Sequence, residues 1–82
     1  MKLDYKTSGT CSTMIRLEVE DGVIKNVRFE NGCDGNTKGI AILTEGMRAE
    51  EAIKKLKGIR CGNKATSCPD QLALALTKAL NT

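Results

Sequence analysis

The order of elements in this 82-residue chain predicts an α+β fold, a small three-stranded antiparallel sheet with about three helices packed on one face. Three observations predict it. Residues 13–30 alternate apolar and polar side chains around Asp21-Gly22. After residue 36 the apolar spacing changes to the threes and fours of helices. No linker, repeat or low-complexity run divides the chain, so residues 1–82 are expected to form one domain.

In residues 13–20, Ile15, Leu17 and Val19 share one face and Arg16, Glu18 and Glu20 the other, the pattern of a half-buried strand. Asp21-Gly22 tolerates the positive φ of a two-residue turn, and Val23, Lys25, Val27 and Phe29 then repeat with period two. Residues 13–30 are therefore read as the central β-hairpin. Leu3 and Tyr5 support a third, edge strand over residues 2–7. The run Asn31-Gly32-Cys33-Asp34-Gly35-Asn36 breaks regular structure.

A first helix is expected over residues 37–44, with Ile40, Ile42 and Leu43, stopping at Gly46. Arg48 to Leu56 places Ala49, Ala52, Ile53 and Leu56 on one face, opposite Glu50/Lys54 and Glu51/Lys55 spaced for i,i+4 pairing. Gly58 ends that helix, and residues 59–67 form a loop. Pro69 suits the first turn of a last helix, where its missing N–H lacks a helical partner anyway, and Leu72, Leu76 and Leu80 follow every fourth residue.

A chain this short hides only about 60% of its unfolded surface. Tyr5 and Phe29 are its only aromatic residues, so a staple in the form of a metal ion or disulfide is physically reasonable. The segment Met1-Lys2-Leu3-Asp4-Tyr5 offers no apolar run for a secretory signal and no stretch is long enough to span a bilayer, so a cytoplasmic location and no membrane partner are expected. In a reducing compartment four cysteines point to metal ligands or redox thiols before stable disulfides. The net charge of +3 comes from interspersed signs, and two distant aromatics give no stacking platform, so nucleic acid is not an expected partner.

With Asp21-Gly22 as the turn, opposed residues in the hairpin have numbers summing to 43, which sets Cys11 opposite Gly32 and Cys33 opposite Thr10. A bulge shifts this by one without separating them. Cys68, immediately before Pro69, is read as the cap of the last helix, where the dipole favours a negative sulfur. Cys61 stands seven positions earlier beside Gly62. The four thus fall into a hairpin pair and a helix-entrance pair.

Zinc is satisfied by four thiolates at about 2.3 Å, often two from each of two elements. Histidine is absent, which removes mixed Cys/His sites, imidazole acid-base chemistry and a Cys-His nucleophilic pair. Lys38, Arg60 and Lys64 are near enough in sequence to offset the charge of such a site. Short Cys-x2-Cys pairs are missing, and two other readings stay open: a dithiol redox pair, and unreactive cysteines in the core. None of the four lies on an apolar stripe, which weighs against the last.

The run Thr66-Ser67-Cys68-Pro69-Asp70, with Gly9-Thr10-Cys11-Ser12 and Gly32-Cys33-Asp34-Gly35-Asn36, resembles the TSCPD domain family over essentially the whole chain. That family is also found as the C-terminal domain of adenosylcobalamin-dependent ribonucleotide reductases. The resemblance implies that Cys11, Cys33, Cys61 and Cys68 are the family's cysteines, that they bind metal, and that ribonucleotide reductase or a thiol donor is the protein partner. The chain lacks the large catalytic barrel, so no autonomous ribonucleotide reduction is expected.

A fainter likeness is to iron-sulfur cluster assembly scaffolds, which share the strand, turn, strand, Gly-Cys, helix order, with Cys11, Cys33 and Cys68 at the three matching positions. No histidine stands beside Cys68, Thr13 takes the place of an aspartate, and Cys61 is additional. The expected function is a metal-binding accessory domain holding zinc on four cysteines. Its alternatives are a redox module using Cys61 and Cys68, and an iron or iron-sulfur carrier.

Overall fold

The computed structural model describes residues 1–10, 12–31, 34–60 and 62–81. Three strands, β1 (Lys2–Lys6), β2 (Ser12–Glu20) and β3 (Val23–Asn31), are followed by α1 (Asp34–Thr44), α2 (Ala49–Leu56) and α3 (Cys68–Leu80). The sheet is antiparallel in the order β1-β2-β3. This is the expected α+β architecture, with the hairpin one residue longer at each end than its alternation indicated.

The turn forms where Asp21 and Gly22 both take positive φ, 53° and 78°, a geometry whose twist matches that of the strands. From there the register departs from simple alternation twice. Glu20↔Val23 and Val19↔Ile24 sum to 43, Glu18↔Asn26 through Met14↔Glu30 sum to 44, and Ser12↔Asn31 returns to 43. Lys25 is thus the extra residue on β3 and Thr13 the extra residue on β2. The two slips lie on opposite strands and cancel.

The first bulge corrects the expectation that Val23, Lys25, Val27 and Phe29 share one face. Ile24 and Val27 are buried, opposite Val19 and Leu17, while Lys25 and Asn26 are exposed. An extra residue between two inward positions lets Ile24 and Val27, three apart, both point at the helices. The outer face of the sheet carries the charges. There Lys2 stands opposite Glu18 and Asp4 opposite Arg16, and Arg16 Nε meets Glu30 Oε1 at 3.1 Å.

The core lies between the sheet and the helices. Ile15, Leu17, Val19, Ile24 and Val27 meet Ala49 and Ala52 of α2 and Leu72, Ala75, Leu76 and Ala79 of α3, flanked by Leu3, Tyr5, Phe29, Ile40 and Leu56. Alanine at the helix positions allows close approach to a sheet with few large side chains. Leu80 is 40% exposed because a four-residue spacing drifts off the buried stripe, and Ala79 takes its place.

Helix α1 begins at Asp34, three residues before the expected start, so it takes in Gly35, from the stretch read as breaking regular structure, and also runs through Gly39. It packs beside β3 on Thr37 and Thr44, while Ile42 and Leu43 are 72% and 75% exposed. After α1 the chain covers part of the β3 edge: Gly46 N donates to Ile24 O at 2.7 Å, Ile24 N to Met47 O at 2.8 Å and Ala49 N to Gly22 O at 2.8 Å. Those bonds satisfy backbone groups that an open edge leaves unpaired. Lys55 Nζ meets Glu51 at 3.5 Å on the solvated face of α2, one of the two pairs the spacing predicts. Among the described residues no helix is long and apolar enough to cross a membrane.

Candidate metal centre at the start of the last helix

The first turn of α3 is the point on which the other elements converge. Its cap is Ser67, not Cys68 as the position before Pro69 suggested. Ser67 has extended backbone, and its hydroxyl oxygen accepts from Asp70 N at 3.2 Å, which satisfies one of the N–H groups left over at the helix start. Cys68 is therefore the first residue inside the helix and Pro69 the second. The cap hydroxyl also donates to Ile59 O at 2.6 Å, which holds the loop after α2 against the helix entrance.

Asp70 extends this clamp. Its carboxylate accepts from Gly58 N at 2.7 Å and from the Thr66 hydroxyl, and it stands at the favourable end of the α3 dipole. Gln71 adds the third connection, donating from Nε2 to Thr66 Oγ1 at 2.9 Å and accepting from Ser8 N at 3.2 Å. The loop between β1 and β2 comes close here. Gly9 has φ 75°, and a Cβ on it would lie 3.0 Å from Thr66 Cγ2.

Cys68 is half-buried, and its sulfur stands 3.3 Å from Ser12 Oγ. Ser12 is only 3% exposed. Its inward direction follows from the Thr13 bulge: Ile15 faces the helices and Met14 does not, so unbroken alternation would turn Thr13 inward and Ser12 outward. The bulge is held by Asn31, whose Nδ2 donates to Thr13 Oγ1 at 3.0 Å from a left-handed backbone of φ 61°. Around Ser12 the hydroxyls form a chain. Thr10 Oγ1 lies 3.1 Å from Ser12 Oγ, and Ser12 O accepts from Thr7 Oγ1 at 2.5 Å and from Thr10 Oγ1 at 3.2 Å.

Of the four cysteines singled out by sequence, Cys68 is described, and Cys11, Cys33 and Cys61 lie outside the described residues. So do the expected pairings of Cys11 with Gly32 and of Cys33 with Thr10. Their described neighbours do converge. Ser12, next to Cys11, touches Cys68; Asn31, two before Cys33, is paired with Ser12; and Ile59, two before Cys61, is bonded to Ser67. Among the described residues no three His, Cys, Asp or Glu side chains stand together as a metal site.

Sequence inspection missed Ser12 and Gln71. A serine after a cysteine and a glutamine on a helix carry no chemical signature alone; only the bulge and the loop approach give them roles.

A family model described as the TSCPD domain matches residues 3–80. The chain belongs to the TSCPD domain family. The five residues that spell the family name, Thr66 to Asp70, are the clamp just described, with Cys68 at its centre. In this TSCPD domain four of the five, all but the thiol, act on backbone or on one another: Ser67 caps, Asp70 ties down Gly58, Thr66 donates to Asp70, and Pro69 fits the first turn. No curated protein and no solved structure matches the chain.

Proposed function

We propose that this TSCPD domain is a metal-binding accessory module in which Cys11, Cys33, Cys61 and Cys68 hold one ion, zinc before iron or an iron-sulfur cluster. We further propose that it works beside a ribonucleotide reductase or its thiol donor, as a counterpart of the reductase's C-terminal domain. The reductase link rests on family membership and on the resemblance of the motifs.

The observation that carries the metal reading is the 3.3 Å contact of Cys68 with Ser12. It joins the start of α3 to the open end of the hairpin, and the Ser67 to Ile59 bond joins the same point to the loop before Cys61. Three segments, each with a cysteine within two residues, are joined through the start of α3. All four donors are sulfur, a set that suits zinc or iron and excludes magnesium or calcium sites. A zinc ion there would cross-link the segments and contribute about 10 kcal/mol or more to folding.

Elemental analysis of protein purified without oxygen tests the proposal. One zinc per chain, with loss of ellipticity on adding a strong chelator, is the expected outcome. A metal-free, fully folded protein whose four thiols are all freely titrated would refute it, and a brown protein with visible absorption would replace zinc by an iron-sulfur cluster.

A dithiol role for Cys61 and Cys68 is the second reading. It is favoured by the partial exposure of Cys68 in the first turn of a helix and by the tether that brings Ile59 to Ser67. Reversible formation of one disulfide without loss of metal would select it.

A further inference from the structure

We infer that Ser12 is a positioning residue for the metal-bound sulfur of Cys68, donating its hydroxyl proton to that thiolate; the inference rests on the four-thiolate reading above. A buried hydroxyl needs partners, and the side chain of Ser12, 3% exposed, stands close to two: Thr10 Oγ1 at 3.1 Å and Cys68 Sγ at 3.3 Å. A thiolate has no proton to give. Once Cys68 is ionised on a metal, the proton between the two atoms belongs to Ser12.

The arrangement is built, not incidental to a regular strand. Ser12 points at the sulfur only because Thr13 is extruded from the ladder, and the extrusion is held by the Asn31 side chain. Thr7 and Thr10 both bond the Ser12 carbonyl, which fixes the backbone from which the hydroxyl projects. Such a bond orients the ligand and draws electron density from the sulfur. Loss of an outer partner of this kind typically weakens metal binding by about 10–100-fold.

The test uses the reduced full chain, titrated with cobalt(II) and then with zinc in competition against a chelator. Three variants are compared with the wild type: Ser12→Ala, Ser12→Thr, which keeps a hydroxyl, and Thr7→Val, which removes a bond to the Ser12 carbonyl and none to the sulfur. Ser12→Ala is expected to bind about 10–100-fold more weakly. At saturating cobalt its sulfur-to-metal charge-transfer band should move, because a thiolate that has lost a proton donor is a stronger electron donor. Ser12→Thr should restore the band, and Thr7→Val should leave it in place even where stability falls. The band is read at full loading, so it separates an effect on the sulfur from a general loss of folding.

A Ser12→Ala protein with the affinity and band of the wild type overturns the role of Ser12 and leaves the four-thiolate site standing. A band that moves as far in Thr7→Val as in Ser12→Ala also overturns it. A wild-type chain that takes up neither cobalt nor zinc overturns the site itself.

Discussion

Replacing Asp70 by alanine probes how much of the fold's stability is concentrated at the start of α3. The substitution removes two hydrogen bonds accepted by one carboxylate, from Gly58 N at 2.7 Å and from the Thr66 hydroxyl, and leaves Gly58 N without the acceptor it has now. Bonds to an ionised acceptor contribute about 1.5–3 kcal/mol each. The helix dipole adds about 0.3–1 kcal/mol. Partial exposure of the donors argues for the lower ends, so a loss of about 3 kcal/mol is expected.

For a domain of this size that is a large fraction of a total of about 4–12 kcal/mol. It corresponds to a melting point lower by about 12–24 °C. The assay is urea unfolding followed by circular dichroism, with both proteins in the same metal state because bound metal adds its own stabilisation. Asp70→Asn keeps an acceptor for Gly58 N and should lose about half as much. In a double-mutant cycle, Thr66→Val and Asp70→Ala should couple by about 1 kcal/mol. A loss below about 1 kcal/mol for Asp70→Ala, or strictly additive effects, would show that the clamp is solvated and holds nothing.

Three further outcomes follow from the packing. Gly9→Ala should cost about 1–3 kcal/mol by urea unfolding, since a side chain at φ 75° is strained and its Cβ would crowd Thr66 Cγ2 at 3.0 Å. Leu76→Ala should cost about 2.7–5 kcal/mol by the same assay, because this fully buried leucine lies in a core too short of large side chains to refill the space. Ile42→Lys and Leu43→Glu should each change stability by less than about 0.5 kcal/mol, as both residues point away from the sheet at more than 70% exposure; a larger loss would mean that α1 packs by another face.

Where one physical signal dominated, the fold was legible in the sequence. The alternation of Ile15, Leu17 and Val19 and the Asp21-Gly22 turn specified the hairpin, and the spacing of Ala49, Ala52, Ile53 and Leu56 specified α2. Local rules in competition hid the rest. Gly35 and Gly39 have poor helix propensity, yet α1 runs through both, anchored on the inner face by Thr37, Ile40 and Thr44. Thr66, Ser67 and Cys68 all precede Pro69, and only the hydroxyl bond to Asp70 N decides that Ser67 is the cap. Bulges have no composition of their own when the extra residues are a lysine and a threonine. Cys68 meets the hairpin's open end through Ser12, whose role became visible only through the parity change at Thr13.

The paired slips in the hairpin act like a vernier. Between Lys25 and Thr13 the strands run one step out of phase with both ends, so the turn and the open end agree while the middle differs. The facing of the residues near Cys68 is thereby uncoupled from the facing of those near the turn. Drawing Thr13 back into the ladder would turn Ser12 away from the sulfur without changing the face that Ile15 and the residues after it present, so the extrusion of one residue works as a dial for the sulfur's surroundings.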